Sequence, residues 1–463
     1  MSKDRISRRE MLRNAALGSI GIGIFGKSSL AASDDAAATL ESLIEGAKPV
    51  GKSMIGVPFE KHDTVRIGVI GTGLRGRSVL NEFLNVPGVR VTALCDVAQE
   101  KADKAKAMVV KAGQPEPAVI VKGERGYEEL VRRDDIDFVY IATPWEFHAQ
   151  YCLAAMNAGK HVGSECPIAY TLEDIWKLVD TSERTRKHCL QVENCVYDYD
   201  ELMVLNMVQQ GLLGELIHAE CAYNHDLREI LFEKRDEGLW RRHHHTLRDS
   251  NLYPTHGLGP IANYLKINRG DKMDFLVSVS SGQWGLDSFR KEHVPADDPR
   301  QKEVYKTGDY NTSLIKTNSG RSIMLQHNVT TPRPYDRINM IQGTKGIFRD
   351  YPSRIYVEGQ GPAHQFQDTS KFKEKYEHEL WRKEGDTARK LGGHGGMDYL
   401  LCYRLVHCMR EGLVPDMDVY DAAAWNVPGP LSEISVAKGS IPVKFPDFTR
   451  GKWREARSVI PMK

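Results

Sequence analysis

The chain has 463 residues, 41% hydrophobic and 27% charged, a globular composition too long for one ordinary core and suited to two domains plus a leader. Its 63 basic and 62 acidic residues leave a formal charge of +1. With no basic surplus to hold a phosphate backbone, nucleic acid is not an expected partner, and beyond the leader no apolar stretch is long enough to span a bilayer.

Residues 1–32 read as an export signal. Ser7-Arg8-Arg9-Glu10-Met11-Leu12-Arg13 precedes a weakly apolar run from Ala15 to Phe25, and Ser29-Leu30-Ala31-Ala32-Ser33 supplies a small-residue cleavage site. The paired arginines resemble the twin-arginine signal, which implies the twin-arginine machinery as a partner and a periplasmic or otherwise exported destination. Residues 33–62 read as a linker or an N-terminal arm. The 8 cysteines include no Cys-x-x-Cys pair, so zinc-ribbon and thioredoxin readings both fail. Export permits disulfides, but this route carries proteins already folded in a reducing compartment, so mostly free, buried thiols are expected.

Val65 to Ile70 is a short apolar run ending in glycines, the pattern of a buried parallel strand. The pattern predicts a helix over 77–85, a strand over 89–95, and helices near 98–112 and 125–133. A strand follows over 138–142, then a helix over 146–157, a strand over 161–163 and a helix over 171–187. This alternation predicts an α/β doubly wound parallel sheet of the Rossmann kind over 63–195. After a helix near 199–210, strand-like segments near 215–225, 274–284, 308–317, 321–329 and 337–349 predict an α+β domain over 196–390 with a mainly antiparallel sheet. Asn318-Ser319-Gly320 is the turn of a hairpin within it. Helices near 397–411 and 419–437 are expected within a closing segment, 391–463, packed across both domains.

Gly71-Thr72-Gly73-Leu74-Arg75-Gly76 lies between a strand and a helix, the context in which Gly-x-Gly-x-x-Gly brings backbone and helix N-terminus to a pyrophosphate. Asp96 closes the second strand about 20 residues on, placed for a ribose 2′-OH, and its charge favours NAD over NADP. Thr143-Pro144-Trp145-Glu146-Phe147-His148, at the end of the third predicted strand, belongs near the nicotinamide ribose. A turn and a helix cap are the plain alternatives for both motifs. The triplet His243-His244-His245 does not make a metal site, because adjacent side chains diverge and no carboxylate or cysteine spacing supports one. Gly392-Gly393-His394-Gly395-Gly396 reads as an active-site loop or as an interdomain hinge.

The pieces Ala142-Thr143-Pro144 to His148, Ala158-Gly159-Lys160-His161-Val162 and Glu165-Cys166-Pro167 resemble the glucose-fructose oxidoreductase/inositol dehydrogenase superfamily. There the last motif reads Glu-Lys-Pro; Cys166 stands in place of the lysine, removing the usual proton relay for alcohol oxidation. Asn251 to Pro260, Glu193-Asn194-Cys195-Val196-Tyr197 and Thr331 to Asp336, together with Trp145 to His148, resemble glycoside hydrolase family 109, over roughly residues 65–440. That resemblance implies an NAD-dependent α-N-acetylgalactosaminidase. It places NAD on Leu74, Arg75, Asp96, Trp145, Glu146, Phe147, His148, Glu165, Cys166, Asn194 and Tyr253-Pro254-Thr255-His256. It places the sugar on Tyr223, Arg241, Tyr253 and Tyr335, with the register at Arg241-Arg242 ambiguous.

The implied reaction passes hydride from sugar C3 to NAD, removes the C2 proton, eliminates the aglycone, adds water and returns the hydride, with no net redox change. His256 is the expected base at the C3 hydroxyl. Tyr197 or Tyr253 is expected at C2, given a positive charge to lower its pKa. Glu165 is expected to hold a ring nitrogen or a sugar hydroxyl. The competing readings are an exported NAD-dependent sugar oxidoreductase and a non-catalytic sugar sensor. Exposed sheet faces in the superfamily imply a homo-oligomer by analogy.

Overall fold

In the computed structural model, which describes residues 41–46 and 48–460, six parallel strands form one sheet: β1 (Val65–Ile70), β2 (Val89–Cys95), β3 (Ala118–Ile120), β4 (Phe138–Ile141), β5 (His161–Ser164) and β6 (Cys189–Gln191). Their order, β3-β2-β1-β4-β5-β6, is the doubly wound dinucleotide-binding order, with the strand sequence reversing between β1 and β4. β1 and β4 are buried nearly throughout, as parallel strands covered on both faces must be. β3 and β6 escape sequence analysis because three residues are too few to show a period.

The second sheet has nine strands: β7 (Leu216–Asn224), β8 (Met273–Ser280), β9 (Asn311–Thr317), β10 (Ser322–Asn328), β11 (Met340–Gly343), β12 (Gly346–Arg349), β13 (Arg354–Val357), β14 (Gln367–Asp368) and β15 (Val443–Lys444). Their order is β14-β13-β12-β11-β7-β10-β9-β8-β15. Pairing is antiparallel except between β7 and β10. β9 and β10 form the hairpin at 318–320. The single strand expected over 337–349 is two, β11 and β12, paired antiparallel. The single helix expected over 419–437 is also two, Val419–Asn426 and Pro428–Ala437. Pro428 has no N–H to continue the first of them.

Two close approaches set the site. The helix after the glycine loop begins at Leu74, not at 77, so Gly76 lies in its first turn. A Cβ at Gly76 would lie 1.9 Å from the Gly71 carbonyl oxygen, so only glycine lets the helix start this close to its strand. Helix Thr255–Tyr264 was not visible in the sequence because Gly257, Gly259 and Pro260 interrupt it. It presses on β7, where a Cβ at Gly257 would stand 2.6 Å from the Ala222 nitrogen. That contact carries His256 to the end of β7.

Residues 48–62 lie as an arm across the Rossmann half and the C-terminal helices. The Phe59 nitrogen donates to the Leu413 carbonyl (2.9 Å), the Met54 nitrogen to the Tyr420 hydroxyl (3.0 Å), and the Phe59 ring meets His161 and His188. Helix Met397–Glu411 packs on helix Leu74–Leu84, and helix Pro428–Ala437 packs on β8, so the C-terminal segment touches both sheets' layers. All eight cysteines are buried and unpaired. Among the described residues no helix is long and apolar enough to cross a membrane. The export signal expected over residues 1–32 lies outside the described residues.

Candidate active site at the carboxyl ends of the Rossmann strands

Two clusters face the carboxyl ends of β1, β4, β5 and β6. The first surrounds the glycine loop. Helix Leu74–Leu84 has no side-chain cap at its N-terminus, leaving backbone N–H groups to an anion. Gly73 faces open space: a Cβ there would meet nothing closer than Lys101 Nζ at 4.0 Å. This is a cradle with room for a pyrophosphate. Asp96 stands at the end of β2, but its carboxylate already accepts from the Thr72 nitrogen (2.6 Å), the Thr72 hydroxyl (2.9 Å) and the Ala98 nitrogen (2.9 Å). It fixes the loop's shape with the same oxygens expected to receive a ribose. Leu74 is exposed at the rim.

Arg75 reaches across this end. Its Nη1 donates to Asp398 Oδ2 (2.6 Å) and its Nε lies 3.0 Å from Glu165 Oε1. Asn194 Nδ2 donates to Asp398 Oδ1 (2.7 Å), and His394 Nδ1 lies 2.7 Å from Asp398 Oδ2. The Tyr140 hydroxyl donates to Glu165 (2.7 Å). Asp398 was not foreseen. Burial raises its pKa, but the Arg75 guanidinium and His394 outweigh burial and hold it well below the usual carboxylate range. Glu165 braces Arg75 and Tyr140 through its Oε1, and His394, in the glycine-rich loop, faces Asp398.

The second cluster lies where β6, helix Thr255–Tyr264 and β7 meet. Glu193, fully buried just past β6, has Oε1 2.6 Å from His256 Nδ1, and the Cys166 thiol donates to its Oε2 (3.2 Å). One ligand-type atom from each of Cys166, Glu193 and His256 lies within 4.8 Å of the others. Burial pushes the Glu193 carboxyl up, but the imidazole of His256 overrides it and the pKa falls to about 2. Glu193 was absent from the expected site because β6 was not recognised, so its place at a strand's carboxyl end was hidden.

Around His256 stand aromatic rings. Tyr253 is 4.8 Å away between centroids and Tyr223 5.4 Å; Tyr223 and Tyr253 are 4.6 Å apart. The Arg241 guanidinium lies 5.0 Å from the Trp145 ring, 5.3 Å from Tyr253 and 6.0 Å from Tyr223. Arg242 turns away to Glu303, so of the two arginines Arg241 faces the cluster. Tyr335 stands behind Tyr223 at 6.2 Å, its hydroxyl taken by Arg337 (3.1 Å).

The remaining expected residues divide. Trp145 is buried in the aromatic cluster. Glu146 lies 3.7 Å from His244, and Phe147 stacks on Tyr151. His148 has both ring nitrogens on carbonyls, Pro167 (2.8 Å) and Thr143 (2.7 Å). It therefore ties two site loops together and has no free nitrogen for a ligand. Pro254 and Thr255 open the helix that carries His256.

Tyr197 is not in the cluster. Its hydroxyl donates to Asp416 (3.0 Å), which pairs with Arg404 under helix Met397–Glu411, so it has no access to a substrate carbon. Tyr253 is in place, with Arg241 beside it as the expected positive charge. Even so, burial first, then Cys166, Tyr223 and Glu193, carry its pKa well above that of free tyrosine. Tyr253 is therefore a proton donor at neutral pH, not the ready base expected at C2.

Residues 65–193 match the model of an oxidoreductase family with an NAD-binding Rossmann fold, and residues 197–455 match that of the glycosyl hydrolase 109 C-terminal domain. A glycosyl hydrolase family 109 protein of Solibacter usitatus (strain Ellin6076) is 54% identical over 98% of this chain and 100% of its own. The chain belongs to glycosyl hydrolase family 109. A second family 109 protein, of Streptomyces filamentosus, is 48% identical over 98% of this chain and 94% of its own. Among solved structures, levoglucosan dehydrogenase in complex with NADH and levoglucosan shares the fold, with a TM-score of 0.61 at 16% identity over 83% of this chain and 100% of that one. An NAD-binding oxidoreductase from Klebsiella pneumoniae gives 0.60 at 18% identity, covering 83% and 100%. Residues 65–193 are thus the NAD-binding domain of a family 109 enzyme. The loop at 71–76 with its open cradle over Gly73 is the part of the structure that fits the cofactor.

Proposed function

We propose that this enzyme hydrolyses terminal α-N-acetylgalactosaminides or closely related glycosides by a cycle of oxidation, elimination, hydration and re-reduction. The observation that carries the reading is the Glu193–His256 pair, set beside Tyr253, Tyr223 and Arg241 at the carboxyl ends of the Rossmann strands. The complex named for levoglucosan dehydrogenase, with a nicotinamide cofactor and a sugar on the same fold, supports a sugar at this place. NAD, held at the glycine loop, would supply a hydride acceptor for sugar C3 and return the hydride at the end, so the enzyme needs no redox partner.

The chain's own residues do the rest. His256 takes the C3 hydroxyl proton, and Glu193, ionised throughout the neutral range, stabilises the imidazolium and fixes the ring. Tyr253, kept protonated by burial, donates toward the leaving oxygen. As C2 is deprotonated, the Tyr223 hydroxyl gives its own proton to His225 Nδ1, 3.2 Å away, and takes the one leaving carbon; burial holds the His225 imidazole neutral and able to accept. Arg241, stacked among three rings, receives the sugar's acetamido or hydroxyl oxygens.

The test is p-nitrophenyl α-N-acetylgalactosaminide given to purified enzyme with no added NAD. Nitrophenol release is expected; NADH accumulation from free sugars without release would instead make the protein a sugar oxidoreductase, and binding without turnover a sensor. Turnover in heavy water should leave deuterium at C2 of the product, and its absence rules out the elimination route.

We also propose that residues 1–32 direct export through the twin-arginine route with NAD already bound. Changing Arg8 and Arg9 to lysine should retain the enzyme in the cytoplasm; unchanged export overturns this. Exposed Val279 and Leu314 on the open face of the nine-stranded sheet suit pairing with a second copy, which a light-scattering mass would register.

A further inference from the structure

We infer that Cys166, Glu193 and His256 form a binding site for a single late first-row divalent cation, zinc by preference. The three side chains come from three separate places: the turn after β5, the turn after β6, and the first turn of helix Thr255–Tyr264. They are far apart in sequence, so neither the cysteine spacing nor the His243 to His245 triplet points to them.

The distances suit an ion. The Cys166 Sγ–Glu193 Oε2 and His256 Nδ1–Glu193 Oε1 separations are 3.2 and 2.6 Å, and one donor atom from each side chain falls within 4.8 Å of the others. Tetrahedral zinc with ordinary Zn–S, Zn–N and Zn–O lengths sets its ligands roughly 3.3–3.6 Å apart. Cys166 and Glu193 already stand near that separation, and the His256–Glu193 pair need open by under about 1 Å to reach it. Cys166 and Glu193 are buried, and 16% of the His256 side chain is exposed. The Tyr253 hydroxyl meets the ring on its other nitrogen, 3.5 Å from Nε2.

Three protein ligands leave one position of a tetrahedral ion to water. A thiolate and an imidazole select zinc or cobalt over magnesium or calcium. Binding displaces the thiol proton and the proton shared by His256 and Glu193 to solvent. Thiolate and carboxylate then balance the ion's two positive charges in a buried place.

The consequence of binding rests on the proposed function: with the ion bound, His256 is a ligand and can no longer take the C3 hydroxyl proton, so an occupied site is inactive in that reaction. Metal binding itself is tested without any substrate, so it stands or falls apart from the glycosidase reading.

The experiment is titration of cobalt(II) into full-length, chelator-treated enzyme carrying oxidised NAD. Expected are one equivalent bound per chain, intense visible bands of tetrahedral cobalt and a thiolate-to-cobalt charge-transfer absorption, all displaced by zinc. Cys166→Ser should abolish the charge-transfer absorption, and His256→Gln should weaken binding by about 100-fold or more. No binding, or cobalt spectra unchanged in Cys166→Ser, overturns the site and leaves the trio a hydrogen-bonded proton relay. If either variant fails to fold, the unaltered enzyme still decides the matter, because binding without thiolate absorption also overturns it.

Discussion

At the glycine-loop end, Arg75, Glu165, Asn194, His394 and Asp398 satisfy one another's charges and hydrogen bonds. At the sheet end, Glu193 pairs with His256, while Tyr253, Tyr223, Trp145 and Arg241 meet mainly through ring faces. A closed network of ion pairs fixes geometry and leaves little proton-transfer capacity. A carboxylate–imidazole pair beside aromatic walls, with Arg241 held in place by Glu237, has a proton to move and a surface on which a sugar ring can lie. The first end is thus built to hold a cofactor in register, and the second to act on what that cofactor faces.

The comparison breaks most sharply at His256. His256→Ala should lower kcat by about 10³-fold while NAD stays bound, measured by nitrophenol release and by cofactor mass after denaturation. A loss of both together would mean that His256 holds the structure and the chemistry lies elsewhere.

Glu193→Gln is expected to cost about 10²-fold in kcat and to change acid stability. Its folded pKa lies at about 2 against an ordinary 4.5, so its stabilising effect is complete above the unfolded value. That effect disappears as pH falls from about 4.5 toward 2. Acid unfolding of Glu193→Gln should be flatter across that window, as followed by circular dichroism; an unchanged profile would show that the pair does not stabilise the fold.

The glycine loop gives a paired test. Gly76→Ala drives a Cβ into the Gly71 carbonyl and should destabilise the domain by about 2 kcal/mol or more, lowering the melting temperature. Gly73→Ala places its methyl in the open cradle, so folding should be unaffected while NAD affinity falls about tenfold. Calorimetry of the two variants, with and without NAD, separates these outcomes; similar effects from both would deny the cradle its role. Arg241→Lys loses planar stacking on the rings around it, and a rise in KM of about tenfold is expected with NAD affinity unchanged. The smallest effect belongs to His394→Ala. Its side chain is 59% exposed, so a change in kcat below about twofold is expected; a large loss would return the loop at 392–396 to the active site.

Much of the cofactor end was legible because it is local. A strand, three glycines, a helix start and an acid at the next strand's end are fixed offsets along one stretch of chain, and each offset has a backbone reason. Even so, Asp96 spends its oxygens on Thr72, and Arg75 finds its partner Asp398 more than three hundred residues away. The sheet end was legible only in part. Tyr253 and His256 were found through the resemblance of their string to a family, and the structure seats them together. Tyr197, equally eligible by residue type, is turned under helix Met397–Glu411 to Asp416.

The sequence alone determined the two-sheet architecture, the NAD-binding loop and the family, because hydrophobic period, glycine placement and motif strings are properties of consecutive residues. The tertiary structure decided that Arg241 and not Arg242 faces the site, that Glu193 stands behind His256, and that Cys166 joins them. Those choices depend on how the turns after β5 and β6 meet a glycine-thinned helix on β7, and sequence separation carries no record of a contact made by packing.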